Sequence, residues 1–155
     1  MKEVLFISYD GLLDPLGKSQ ILPYIFGLSD NGYKFCLLSF EKNNHKEKDI
    51  LKLKSLLKSK NIKWYKLTFV KGKFQGIKRI IKGAICVRYI CSTRKIKLIH
   101  LRAILPGIIY FLSFINKKYI YDIRAFAGQW VDSGAIKKSS ILEKFLICYE
   151  KYLIN

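Results

Sequence analysis

This 155-residue sequence has no long apolar run, no closely spaced pair of cysteines and few acidic residues. No apolar run reaches the ~18–20 residues of a membrane-spanning helix. The N-terminus has no charged segment leading into a long apolar stretch, so it is not typical of a signal peptide. The four cysteines form no C-x-x-C pair, which argues against a zinc site or a disulfide scaffold. Buried thiols in a reducing compartment fit better. We therefore expect a cytoplasmic protein without a metal.

The shortage of acidic residues is concentrated in one stretch. Against 29 Lys and Arg the chain has 11 Asp and Glu, a formal net charge of +18. Residues 50–121 contain no Asp or Glu and 18 Lys or Arg. Such a field favours anionic partners, which include nucleic acid, anionic lipid head groups and phosphorylated small molecules. Solvated faces of a lysine-rich composition explain the same numbers, so charge does not select a partner.

What is present is enough for one folded domain. Half of the residues are hydrophobic and 14% are aromatic, which excludes intrinsic disorder. A chain of this length can bury roughly 68–70% of its unfolded surface. We therefore expect a core that needs neither metal nor disulfide bonds.

Short β-branched and aromatic runs alternate with segments of helical periodicity. The predicted strands are 2–9, 34–40, 62–69, 97–101 and 119–123. The predicted helices begin near Gln20 and then span 46–60, 77–93, 106–115 and 141–154, with a loop over 124–139. This alternation predicts an α/β fold with a single Rossmann-like, doubly wound parallel sheet of about five strands in the order 3-2-1-4-5.

Ligands of such sheets bind beyond the carboxyl ends of the strands, where the strand order reverses. The loop after the first predicted strand offers Asp10, Gly11, Asp14, Gly17, Lys18 and Gln20. The ends of the fourth and fifth strands offer Arg102, Asp122 and Arg124. We predict that these residues bind substrate or donor phosphate, and we assign no catalytic residue.

The loop after the first strand has no standard nucleotide motif. G-x-G-x-x-G is absent, and G-x-x-x-x-G-K-[ST] is not matched, although Gly17-Lys18-Ser19 imitates its tail. Gly17 would let the backbone approach a ligand just before a helix N-terminus, whose free N–H groups favour phosphate. Alternatively, Gly17 only makes a tight turn.

Two arginines follow apolar strands, where a guanidinium is hard to bury without a partner. Arg102 and Arg124 could together hold a phosphate or pyrophosphate. Alternatively, Arg124 forms a structural ion pair with Asp122 or Asp132. We interpret His100 as a core histidine.

Residues 10–20 spell D-G-x-x-D-P-x-G-x-S-Q, which resembles a loop in an envelope-polysaccharide branch of the bacterial family 4 glycosyltransferases. Residues 100–107 are similar to the end of that family's fourth strand. The sequence from Asp122 to Phe126 resembles its D-x-R-G-F motif, with Ala125 where glycine is usual. Residues 127–134 lack the Glu of the family's acidic, glycine-rich loop.

The resemblance implies one half of a GT-B fold, in which two Rossmann-like halves face each other across a cleft. Residues 1–155 would be the N-terminal, acceptor-side domain, with Gly17 near the donor phosphates and both Arg102 and Arg124 in the cleft. The donor-binding half carries a Glu-x7-Glu motif, which is absent here because six residues separate Glu143 from Glu150. That half would lie in a longer chain or a separate one.

The implied reaction is retaining transfer of a sugar from a nucleotide-sugar to a cell-envelope polysaccharide or lipid-linked acceptor, without a metal cofactor. The fragment by itself would be inactive. Lipid-linked acceptors lie at the inner leaflet, so we expect peripheral contact with an anionic membrane surface there. The basic, amphipathic segment 77–94 could provide that contact.

The alternative is a basic nucleic-acid-binding or membrane-surface-binding α/β module without catalysis. We do not expect nucleic acid, because most aromatics fall in strand and helix stripes.

Overall fold

Parallel strands and the helices that connect them form the protein. A computed structural model describes residues 3–72, 74–124, 126–132, 134, 138 and 140–154. The described strands are β1 (Glu3–Ser8), β2 (Lys34–Lys42), β3 (Lys63–Phe69), β4 (Ile96–Arg102) and β5 (Tyr119–Asp122). The described helices are α1 (Leu22–Asp30), α2 (Glu47–Ser59), α3 (Gln75–Thr93), α4 (Ile104–Leu112), α5 (Ala127–Asp132) and α6 (Ile141–Ile154). A π-helical turn, Gly17–Ile21, leads directly into α1.

The strands form one parallel sheet in the order β3-β2-β1-β4-β5, which confirms the predicted Rossmann-like α/β fold. The central strand β1 pairs with β2 on one side and with β4 on the other. Its residues from Val4 to Ser8 are all buried. Burial on both faces explains why this strand is a continuous apolar run rather than an alternating one.

Two core layers cover the two faces of the sheet. Leu5 and Ile7 point to the layer that contains residues of α3, α4 and α6. Val4 and Phe6 point to the layer that contains residues of α1 and α2. This division follows from the two-residue side-chain period of a strand. Because β1, β4 and β5 are parallel neighbours, their carboxyl ends lie together at one end of the sheet.

The predicted loop over 124–139 is wrong at residues 127–132, which form α5. This helix starts with a side-chain cap, because Gln129 Oε1 accepts the Phe126 N–H at 3.1 Å. Such a cap satisfies an otherwise free donor at the start of a helix. The predicted helix 106–115 is displaced, since α4 begins at Ile104 and ends at Leu112. Lys2, Ala125 and several residues of 133–139 lie outside the described residues.

None of the described helices is long and apolar enough to cross a bilayer.

Candidate functional site

A pocket of about 290 Å³ opens at the carboxyl ends of β1, β4 and β5, where the strand order reverses. Phe6 and Ile21 form part of its apolar wall. The other lining residues are Gln20, Tyr24, His100, Arg102, Ile120, Asp122 and Arg124. Four of the predicted site residues therefore share one concave surface, at the place where α/β sheets bind ligands.

Arg102 lies at the bottom of this pocket with a side chain that is only 4% exposed. One terminal nitrogen donates to Gln20 Oε1 at 2.8 Å, and the other is 3.7 Å from Asp122 Oδ2. Its Nε has no hydrogen-bond partner within the described part of the chain. Burial, and then the charge of Arg124, lower the pKa of Arg102, while Asp122 and Asp10 oppose this shift. The pocket therefore holds a buried cation whose hydrogen bonds are incomplete, which is costly without a ligand.

Asp122 is the carboxylate at the centre of the pocket. Its Oδ2 accepts from Arg124 Nε at 2.9 Å and forms an ion pair with a terminal nitrogen of Arg124 at 2.8 Å. The ion pair with Asp122, one of the alternatives for Arg124, is thus present, and phosphate binding by Arg124 stays a prediction. The Arg124 side chain is 44% exposed and can turn toward a ligand at little cost in solvation. Two guanidinium groups against one carboxylate leave the pocket with a positive excess.

His100 also lines the pocket, although the sequence analysis placed it in the core. Its ring packs on Phe6 with centroids 4.5 Å apart and edge-on to Tyr24 at 5.5 Å. Its Nε2 lies 3.7 Å from Asp122 Oδ2 and has no hydrogen-bond partner among the residues described. Burial lowers the pKa of His100, and Asp122 offsets this only in part. His100 is therefore a neutral imidazole near pH 7 that can donate to or accept from a ligand.

The loop after β1 is held by a buried carboxylate that the sequence analysis did not identify. Glu41, near the end of β2, accepts the Leu12 N–H at 2.7 Å and the Leu13 N–H at 3.4 Å. It also accepts the Ser39 hydroxyl at 2.7 Å. A Cβ on Gly11 would lie 2.8 Å from Glu41 Oε2, so the loop passes too close to the carboxylate for a larger residue.

Gly17 is buried against its own loop. A Cβ at this position would lie 2.5 Å from the carbonyl oxygen of Leu12 and closer still to that of Gly11. This contact explains the glycine without a ligand and agrees with the tight-turn alternative. Its predicted approach to donor phosphates stays a prediction.

The remaining predicted residues lie outside the pocket. Asp14 forms an ion pair with Lys42 at 2.9 Å, and its Oδ1 accepts a hydrogen bond from His45 Nε2 at 3.2 Å; both contacts tie the loop to the segment at the end of β2. Lys18 is exposed, and its N–H donates to Asp14 O at 3.0 Å. Asp10 is also exposed, yet its charge affects the pKa of Arg102. The predicted set therefore divides into a pocket group and a group that shapes or borders the loop.

The backbone is strained immediately after Arg102. Ala103 adopts φ 74° and ψ 178°, a region in which residues other than glycine are rare. Its N–H donates to Asp122 O at 2.9 Å, which holds β4 against the end of β5. Strain of this kind is concentrated at functional sites. Here it fixes the direction in which the chain leaves Arg102.

A larger cavity of about 490 Å³ lies at the amino-terminal ends of the strands, between α2 and the start of β3. Lys54, Lys58 and Lys63 line it together with Arg94, which is already paired with Glu3. The usual ligand site of an open α/β sheet lies at the carboxyl ends of the strands, not at this amino-terminal end. We therefore assign the site to the pocket around Arg102. No group of three or more His, Cys, Asp or Glu side chains in the described ranges is placed to hold a metal ion.

The fold is similar to that of a glycosyltransferase from Rickettsia africae ESF-5, with a TM-score of 0.53 and 13% sequence identity. The match covers 83% of this chain and 33% of that chain, so this chain spans about a third of that glycosyltransferase. At this identity the likeness shows the fold alone. No protein-family model and no curated protein matches the sequence.

Proposed function

We propose that this chain is the acceptor-side domain of a retaining glycosyltransferase. The reaction would move a sugar from a nucleotide-sugar to a cell-envelope polysaccharide or lipid-linked acceptor. A donor-binding half, in the same longer chain or in a separate one, would complete the cleft. The likeness to a known glycosyltransferase supports the architecture, and the match of residues 10–20 and 122–126 to family motifs supports the finer assignment.

The observation that carries the proposal is the buried guanidinium of Arg102, which lines the pocket at the switch point and whose Nε has no hydrogen-bond partner among the described residues. A diphosphate offers oxygens to both Arg102 and Arg124, and charge-assisted bonds of this kind are strong. The same diphosphate occurs in nucleotide-sugars and in lipid-diphosphate acceptors. A volume of about 290 Å³ admits a diphosphate with part of one attached group rather than a whole nucleotide-sugar.

Gln20, Arg124 and His100 each have a distinct part in this proposal. Gln20 holds one terminal nitrogen of Arg102 and so fixes the guanidinium plane. Arg124 exchanges its bond to Asp122 for a bond to phosphate. His100, neutral and close to both arginines, hydrogen-bonds a bridging or hydroxyl oxygen.

Equilibrium titration of the 155-residue chain tests the site with three probes: inorganic pyrophosphate, a nucleoside diphosphate and a short-chain alkyl diphosphate sugar. Arg102→Gln is expected to weaken diphosphate binding about 10- to 100-fold, the usual effect of losing a hydrogen bond to a charged group. Arg124→Gln, at an exposed position, is expected to act in the same direction without affecting folding. Arg88→Gln on α3 is the control, because it removes the same charge from an exposed position in the C-terminal part of that helix.

Tighter binding of the alkyl diphosphate sugar than of the nucleoside diphosphate would support the acceptor side, and the reverse order would assign the pocket to the donor. Equal weakening by Arg102→Gln and Arg88→Gln would overturn the site, since only net charge would then matter. Arg102-dependent binding of single-stranded DNA, without diphosphate binding, would overturn the proposed function in favour of a nucleic-acid module.

A further inference from the structure

Helix α2 and the edge strand β3 enclose a groove that is separate from the pocket around Arg102. We call it the α2–β3 groove. It consists of the cavity of about 490 Å³ at the amino-terminal ends of the strands and a second cavity of about 280 Å³ toward the start of α2, and the two share Lys54 and Trp64. Along α2 the groove extends from Glu47 to Lys58, which corresponds to about 16 Å of helix. A groove of this length accommodates a short segment of polypeptide.

The end of the groove near the start of α2 is apolar. Ile50, Leu51 and Trp64 line this end. The indole N–H of Trp64 donates to Ser39 Oγ at 2.8 Å, and Trp64 packs against the core layer that contains residues of α1 and α2, so its ring is held in place. Leu51, in the same cavity, is 57% exposed, so folding of the domain gains little from it. A fixed indole and an exposed leucine in one cavity can receive a large apolar side chain.

The rest of the groove is basic. Four exposed lysines line it: Lys54, Lys58, Lys63 and Lys66. None of the four forms an ion pair within the described part of the chain, whereas Lys60, just after α2, pairs with Asp30 at 2.6 Å. Lys58 stands in the last turn of α2, where a cation favours the helix dipole, but the two lysines of β3 have no such role. The groove therefore presents a positive charge that folding does not require.

We propose that the α2–β3 groove binds an acidic segment of a partner protein. A large apolar side chain of the partner enters the cavity beside Leu51 and Trp64, and flanking Asp or Glu side chains pair with the lysines. Charge complementarity favours this occupant, because opposite potentials across an interface set specificity and speed association. A second copy of this chain is disfavoured, since 29 basic residues against 11 acidic ones make two copies repel each other.

The location of the groove separates this partner from the proposed donor-binding half. That half would face the carboxyl ends of β1, β4 and β5, whereas β3 lies at the other edge of the sheet. The inference therefore does not depend on the proposed sugar transfer. Addition of a strand to β3 is disfavoured, because lysines on an edge strand discourage pairing with another strand. A single-stranded nucleic acid is disfavoured as well, because the aliphatic side chains beside Trp64 cannot stack on bases.

Selection from a library of random peptides tests the proposal, with the 155-residue chain as the target and peptides of about 15 residues, which span the groove when helical. We expect the enriched peptides to carry several Asp or Glu residues around a Leu, Phe or Trp. Fluorescence anisotropy then measures the affinity of synthetic copies. Lys54→Ser with Lys58→Ser is expected to weaken binding about 2- to 30-fold, the range for losing two exposed ion pairs. The matched control is Lys48→Ser with Lys52→Ser, which removes the same charge from exposed positions of α2 that line neither cavity.

The apolar end of the groove has its own variant. Leu51→Ser is expected to weaken binding about 4- to 20-fold at constant charge, because roughly half of a leucine side chain then stays in water. Leu56→Ser is the control, since Leu56 is also exposed on α2 but lines neither cavity. In a Trp130→Phe chain, Trp64 is the remaining tryptophan, and its fluorescence is expected to change when the peptide binds.

Three results would overturn the proposal. A library that yields no acidic peptide would exclude the occupant, and equal losses in the groove variants and their controls would show unspecific charge attraction. Displacement of the peptide by single-stranded DNA, with DNA binding that depends on Lys54 and Lys58 but not on Leu51, would assign the groove to nucleic acid. Diphosphate binding at Arg102 would be unaffected by any of these results, so the two proposals fail independently.

Discussion

Removing the carboxylate of Glu41 is expected to release the loop that borders the pocket. This side chain is buried and accepts two short hydrogen bonds, from the Leu12 N–H and the Ser39 hydroxyl, both at 2.7 Å. A third donor, the Leu13 N–H, lies at 3.4 Å and contributes less. Truncation leaves these buried donors without a partner.

The magnitude follows from the two short bonds. A hydrogen bond to a charged group contributes about 1.5–3 kcal/mol, so losing two of them in Glu41→Ala is expected to lower the free energy of unfolding by about 3–6 kcal/mol. Relief from burying a charge reduces this loss, which is why the lower part of the range is favoured. Glu41→Gln keeps one acceptor but places an NH₂ group against a donor, and about 1–2 kcal/mol is expected.

Urea unfolding followed by circular dichroism measures both losses, with Glu47→Ala as the control. Glu47 is exposed in the first turn of α2, where a carboxylate contributes about 0.3–1 kcal/mol through the helix dipole. The indole N–H signal of Trp64 gives a local report, because it donates to Ser39 Oγ at 2.8 Å. A Glu41→Ala protein that folds with an unchanged indole signal and loses less than the control would refute the reasoning.

Three further predictions concern the same edge of the sheet. Gly17→Ala is expected to destabilise the protein by about 1–3 kcal/mol, because the added Cβ meets the backbone of the loop. Gly27→Ala has no described atom within 4 Å of the added Cβ and is expected to stabilise the protein by about 0.5–1 kcal/mol. Thermal unfolding of the two variants measures the difference. Ala103→Gly relieves a left-handed φ and is expected to raise the free energy of unfolding by about 1 kcal/mol, and a decrease in urea unfolding would contradict the assigned strain. Burial lowers the pKa of His100 in the folded state, so the unfolded chain takes up the proton first and stability is expected to fall as pH drops below about 6.5. His100→Gln should flatten this slope in urea unfolding below about pH 6.5.

The sheet order could be predicted because its determinants are local. Each strand is a short apolar run, each helix has an apolar stripe, and right-handed crossovers leave few arrangements. The error at α5 has a different cause. Its six residues are too few for a periodic pattern, and the cap from Gln129 to Phe126 depends on one side-chain conformation.

The site could be predicted only in part, because contacts between distant residues decide it. Glu41 and Leu12 are 29 positions apart, and no pattern in the loop points to that carboxylate. His100 did have a signal. It stands two residues before Arg102 on β4, and residues two apart on a strand face the same side. Applying that alternation to Arg102 would have placed the imidazole in the pocket.

The distribution of unsatisfied polar atoms is what separates the pocket from the rest of the fold. Elsewhere in the described part of the chain, the buried carboxylate of Glu41 accepts from three donors and the partly buried carboxylate of Glu3 pairs with Arg94. In the described residues, the buried side-chain atoms without a hydrogen bond are His100 Nε2, Arg102 Nε and the Tyr149 hydroxyl. The Tyr149 hydroxyl belongs to α6, among aromatic rings of α4 and α6. The other two belong to His100 and Arg102, which lie two residues apart at the end of β4 and both line the pocket where we propose that a diphosphate binds.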